Sequence, residues 1–155
     1  MPIVCLICAS CSEDRKTGKI SDYITPIIEA DKVTLFSIDG TLQVGLKQSN
    51  KGAEKFHDYP ILGEIEIKDS QTRNEVAQAL LKGIENQSRD FPACFWPRHG
   101  IRAEKAGKVT DYVICFECSQ VVVHWGSISP VIRISDAPHE LLNRLLKKAN
   151  IPIAP

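Results

Sequence analysis

"ACFWPRHGIRAEKAGKVTDYVICFECSQVVVHW", Ala93 to Trp125, is the stretch on which the fold turns. It predicts two long strands, about Ala93 to Ala103 and about Val109 to Trp125, joined through the polar "EKAGK" into an antiparallel hairpin. A turn centred near Ala106 sets His99 opposite Val113, Pro97 opposite Cys115 and Cys94 opposite Cys118. One face of the ribbon then carries Cys94, Trp96, Ile114, Phe116 and Cys118, which reads as core. The other carries Phe95, His99, Cys115, Glu117 and Ser119, a mixed surface. Pro97 has no N–H to donate, so the first strand must lie at an edge or break there.

Outward from this ribbon, the chain alternates between strand and helix patterns. Ser21 can cap a short first helix ending near Ala30, or Thr25 can cap it with Pro26 at the first helical position. "KVTLFSI-DG-TLQVGLK" reads as two strands around Asp39-Gly40, a two-residue hairpin signal. Gln48 to Asp58 reads as a polar loop, and Tyr59 to Lys68 as a half-buried strand. Asp69 or Ser70 caps a helix through about Asn86, whose stripe is Val76, Ala77, Leu80, Leu81 and Ile84. "GSISP" turns the chain, Val131 to Ser135 forms a shorter strand, and Asp136 caps a last helix with Pro138 in its first turn. Leu141, Leu142, Leu145 and Leu146 face inward, and Asn150 with Pro152 ends the helix. Hairpin-linked strands and no βαβ series predict an α+β single domain: a mostly antiparallel sheet of about five to six strands, with two or three helices on one face.

Composition removes several classes of function. The 155 residues carry 19 basic and 19 acidic side chains, so no net field recruits nucleic acid. Aromatic content of 6% argues against a base-stacking platform. No Gly-rich phosphate loop, HExxH, GxSxG or EF-hand pattern occurs. Six cysteines fall into two groups, Cys5, Cys8 and Cys11, then Cys94, Cys115 and Cys118.

The first group ends an apolar run, "MPIVCLICASC", followed by the polar "SEDRKTGK". Read as a lipobox, it makes Cys11 a lipidation site. Residues 1–19 then form a signal remnant and polar tether to a membrane, and residues 20–155 the domain. Two other readings stand beside it. The C-x₂-C-x₂-C spacing suits an iron–sulfur motif, but Arg15 stands where its fourth cysteine belongs. A short buried strand with inert thiols accounts for the same residues in a cytoplasmic protein.

For the second group four roles compete. Cys94, His99, Cys115 and Cys118 have the ligand types of a zinc site. Cys115 with His99, oriented by Glu117, has the make-up of a nucleophile–base pair. Cys94 and Cys118 could bridge across the strands. The plain reading keeps the thiols as small buried hydrophobes, with Arg98, His99 and Glu117 in a local polar network. On a regular strand, residues three apart face opposite sides, so Cys115 and Cys118 are not expected to join each other. His57 is expected to be solvated, His124 a satisfied sheet histidine, His139 a first-turn polar residue and Arg102 a partner of a nearby carboxylate.

"ACFWPRHGIRAEKAGKVTDYVICFEC", together with "LGEIEIKD" upstream and the tail "LLKKANIPIAP", resembles an uncharacterised bacterial family of small, often lipoprotein-like proteins. The resemblance covers roughly Asp31 to Pro155. It implies an α+β domain, frequently in the cell envelope, and brings no catalytic residue with it. The expectation that follows is a non-enzymatic envelope protein, immunity-like or accessory, that binds a protein or small ligand through the surface bearing Arg98, His99, Cys115 and Glu117. No cofactor is expected on that reading. The alternative is a metal- or thiol-dependent protein, with zinc as the metal, built on Cys94, His99, Cys115 and Cys118.

Overall fold

The computed structural model describes residues 18–41, 52–87 and 92–155. Ten elements follow in order: α1 (Ile20–Glu29), β1 (Lys32–Ile38), β2 (Lys55–Phe56), β3 (Tyr59–Glu66), α2 (Ser70–Glu85), β4 (His99–Lys105), β5 (Lys108–Cys115), β6 (Gln120–Trp125), β7 (Val131–Arg133) and α3 (His139–Lys148). The strands form a seven-stranded sheet in the order β2-β3-β1-β4-β5-β6-β7, every pair antiparallel. With three helices this is an α+β single domain, two strands beyond the lower expected count because the long second strand is split and β2 is added.

The apolar run "VTLFSI" places β1 inside the sheet, third of the seven strands, where both sheet faces are covered. Val33 and Leu35 point to the helices, joining Ile101, Ala103, Tyr112, Ile114, Val121 and Val123 from β4, β5 and β6. Tyr23, Ile24 and Ile27 of α1, Val76, Ala77, Leu80 and Ile84 of α2, and Leu142 and Leu146 of α3 complete that core. Phe36 and Ile38 point to the opposite, helix-free face (the open face), where Phe56 and Val113 pack on them and bury them.

The α2 start is as expected: Asp69 Oδ2 accepts from the Thr72 N–H at 2.7 Å and the Thr72 hydroxyl at 2.8 Å. The other two helix starts differ. The first helix begins at Ile20, where Asp22 Oδ2 accepts from the Lys19 N–H at 2.8 Å, and it runs through Pro26 rather than starting beside it. The last begins one residue after Pro138 instead of at an Asp136 cap. Asn150 adopts φ 57° just past its end, and the Ile151 N–H returns to the Leu146 carbonyl at 3.0 Å.

Asp39-Gly40 does not turn β1 back on itself. Both flanks of β1 are taken, by β3 and by β4, across nearly its whole length. A Cβ at Gly40 would lie 2.5 Å from the Pro97 backbone, so the glycine marks a close chain crossing. The second strand expected there, Thr41 to Lys47, lies beyond Thr41 outside the described residues. Within the expected polar loop, Lys55 and Phe56 pair with Pro60 and Tyr59 as β2.

Pro97 breaks the ladder, so β4 begins at His99 and not near Ala93. The β4–β5 turn has Ala106 at φ 47° and Gly107 at φ 77°, both in the left-handed region that two-residue hairpin turns demand. Lys105 therefore faces Lys108 and His99 faces Ile114, one position away from the expected Val113. A one-residue change exchanges the faces of one strand relative to the other, and His99 goes to the helix side.

Gly100, opposite Val113 on the open face, lies directly under Phe56, where an added Cβ would sit 2.6 Å from the ring. The ring is stacked on Phe36 at 4.5 Å between centroids and cannot retreat along that direction. Gly100→Ala is expected to cost about 1–3 kcal/mol by overpacking, read as a lowered urea midpoint. An unchanged midpoint would mean that β2 lifts freely from the sheet.

Candidate functional site

β5 ends at Cys115 because the chain turns through residues 116–119. Ser119 takes φ 52° and its N–H reaches the Phe116 carbonyl at 3.0 Å. Cys115 faces Gln120 in the last rung of the β5–β6 ladder. The turn brings Cys118 back beside Cys115, with 5.2 Å between Cα atoms, and the two are joined by a disulfide. Residues three apart face opposite sides only along an unbroken strand, and here the strand ends in a turn.

Segment 92–98 lies across this turn. Gln120 donates from Nε2 to the Pro92 carbonyl at 2.9 Å, and the Trp96 N–H points at Cys118 Sγ, 3.4 Å away. The Cys118 N–H in turn points at Cys115 Sγ at 3.2 Å. Cys94 is not bridged; its Sγ lies 3.9 Å from Cys118 Sγ. Cys115 is 1% and Cys118 0% exposed, whereas Cys94 is exposed. Two buried, bridged cysteines thus sit beside one exposed cysteine. The cross-strand Cys94–Cys118 bond considered from sequence is replaced by a bond within the turn, with Cys94 in contact.

Arg98 fixes the outside of the turn. Its Nη1 meets Glu117 Oε1 at 2.8 Å and its Nε donates to the Pro155 carbonyl at 2.5 Å. Its backbone is held on both sides, its N–H by Ile114 and its carbonyl by Ile38. Arg98 and Glu117 are therefore partners, as the polar-network reading expects.

His99 is elsewhere. It is 1% exposed under α3, where Asn143 Oδ1 accepts from Nε2 at 2.8 Å and the Asn143 amide donates to His139 Nε2 at 3.0 Å. Its Nδ1 is buried without a hydrogen-bond partner. Burial pulls its pKa down to about 4, and the neighbouring His139 and Arg98 push the same way, against the Asn143 bond. The nucleophile–base pairing of Cys115 with His99 is not assembled: the cysteine is bridged, the imidazole serves Asn143, and Glu117 serves Arg98. Of the four residues considered for zinc, three come together and His99 does not.

A second polar cluster, on the open face, is one the sequence reading missed. Arg102, Asp111 and His124 are cross-strand neighbours in one row of β4, β5 and β6. Asp111 accepts from Arg102 Nε and Nη2, both at 2.8 Å, and meets His57 Nε2 at 2.9 Å. The His57 ring stacks on His124 at 3.9 Å, and His124 Nδ1 meets Ser129 Oγ at 2.8 Å. His57 is thus exposed in its turn, as expected, and at the same time a partner of the buried Asp111 carboxylate. Its signal was hidden because the loop that carries it joins the row from more than fifty positions away.

Cys5, Cys8 and Cys11, and with them the lipidation and iron–sulfur readings, lie outside the described residues. Among the described residues no helix is long and apolar enough to cross a membrane. No family model, no curated protein and no solved structure matches the chain.

Proposed function

We propose that the protein works by thiol–disulfide exchange, with Cys115 and Cys118 as the redox couple and Cys94 as the sulfur that connects them to solvent. The observation that carries this reading is the 3.9 Å contact between the exposed Cys94 and the buried, bridged Cys118. A disulfide with no sulfur in reach of solvent exchanges only if the fold opens; a neighbouring free thiol gives it a path.

The Cys94 thiolate attacks Cys118 Sγ. The Cys94–Cys118 bond forms as the Cys115–Cys118 bond breaks, and Cys115 leaves as a thiolate that takes up a proton. An external thiolate then attacks Cys94, forming a mixed disulfide and releasing Cys118. A second thiol of the same substrate displaces Cys94 and closes the substrate's own disulfide. The substrate dithiol gives up two electrons and two protons, and the Cys115/Cys118 pair receives them. An envelope location with a tether at Cys11 accords with this chemistry, because oxidising compartments return such pairs to the bridged state.

The test is alkylation and intact mass across glutathione buffers under native conditions, followed by the rate of reduction by a dithiol peptide. The pair is expected to titrate as a two-electron couple. Cys94→Ser is expected to slow reduction about tenfold or more with little change in potential, since it removes the path and not the couple. If the bond opens only on unfolding, it is a structural cross-link. The binding-module reading then takes its place, favoured by a groove of about 830 Å³ between α1 and the β4–β5 hairpin, lined by Pro26, Ala103, Val109 and Trp125.

A further inference from the structure

We infer that, when the Cys115–Cys118 bond is reduced, Cys94, Cys115 and Cys118 form a thiolate site for a soft, closed-shell metal cation of the Zn²⁺ class. The inference rests on the proposal that this pair cycles, because a bridged pair offers no thiolate. With the bond in place, the described residues hold no group of three or more His, Cys, Asp or Glu side chains that could take a metal ion.

Three observations converge on the reduced form. The Cys94–Cys118 sulfur separation of 3.9 Å is already that of a ligand edge. With zinc–sulfur bonds of about 2.3 Å, tetrahedral coordination sets sulfurs about 3.8 Å apart. The backbone also fixes Cys115 and Cys118 through the turn at 5.2 Å between Cα atoms, close enough for their released sulfurs to share one ion. Finally, two main-chain N–H groups aim at the sulfurs, Cys118 at Cys115 Sγ and Trp96 at Cys118 Sγ. Such donors favour the thiolate over the thiol, and the thiolate is the form a metal takes.

Two ligands are buried and the third is exposed, so the fourth coordination position opens toward solvent. His99 is not part of the proposed site; it lies buried under α3 with its Nε2 hydrogen-bonded to Asn143. Metal binding and the disulfide exclude each other. Oxidation by a partner disulfide removes two electrons from the Cys115 and Cys118 thiolates, joins them and releases the ion; the partner leaves as a dithiol.

The experiment uses the full chain with Cys5, Cys8 and Cys11 changed to serine, chemically reduced and kept free of oxygen. Cd²⁺ serves as the probe, read by its thiolate charge-transfer absorption, and Zn²⁺ is added as competitor. One Cd²⁺ per chain is expected, displaced by Zn²⁺ and absent from the oxidised protein. Cys94→Ser is expected to weaken binding about tenfold or more by removing one of three ligands, and His99→Gln to leave it unchanged. Absence of the band in reduced protein, full affinity in Cys94→Ser, or a bond that cannot be reduced in the folded chain each overturns the site. Exchange without metal binding would leave the redox proposal standing alone. Metal binding in a protein that does not exchange with glutathione would reject that proposal and keep the site.

Discussion

Asp111→Ala is expected to lower stability by about 3 kcal/mol, seen as a drop in the urea midpoint with the slope unchanged. Asp111 is 5% exposed and accepts three hydrogen bonds, two from Arg102 and one from His57. Removing the carboxylate leaves the Arg102 guanidinium against the Phe36 and Phe56 rings, 5.9 Å and 5.3 Å from their centroids, with its hydrogen-bonded counter-charge gone. Breaking a buried pair by removing one partner costs about 3–5 kcal/mol. The low end applies because the Arg102 side chain is 38% exposed and water recovers part of the loss. Arg102→Met added to Asp111→Ala should restore part of the stability, since it removes the stranded charge. A loss below about 1 kcal/mol for Asp111→Ala would place the cluster with ordinary screened surface pairs.

The second large effect is acid sensitivity at His99. The imidazole has an ordinary pKa of 6.5 and is held down to about 4 in the folded protein, chiefly by burial. Between these values the unfolded chain binds a proton that the folded chain refuses, so stability falls as pH falls. The contribution is complete above pH 6.5 and is lost by about 1.4 kcal/mol per unit toward pH 4, about 3 kcal/mol in all. His124, also pulled down by burial and by His57, acts in the same direction. Urea unfolding between pH 7 and pH 4 should show this limb in the natural chain and a shallower one in His99→Leu. Equal slopes in the two proteins would mean that His99 is protonated in the fold and that its charge is accommodated under α3.

The parts legible in the sequence were those set by local pattern. The α2 stripe from Val76 to Ile84, its Asp69 cap and the α3 leucines were written in three- and four-residue spacing. The hairpin over "EKAGK" was legible too, but its register depended on whether the turn centres on Ala106 or between Ala106 and Gly107. That half-step decides which core His99 enters. The turn at "CFEC" was hidden because "VICFECSQVVV" contains no Gly, Pro or Asn, and only the left-handed Ser119 marks it. Asp39-Gly40 misled for the opposite reason, a strong local turn signal at a place where long-range pairing had claimed both flanks of β1. The sulfur cluster was therefore half visible, its members identifiable as candidates and their bonding fixed by a turn without a local signature.

The described sheet also ends in a way that protects the protein from itself. Its outermost strands, β2 and β7, are two and three residues long. A second chain needs a row of free main-chain donors and acceptors to add itself to a sheet, and such short borders offer little template for one. β1, β4 and β5 are paired on both sides, whereas β2 covers only the Tyr59–Pro60 end of β3 among the described residues. At the β7 end, sheet extension is thus limited by strand length and not by net charge, of which the chain has none.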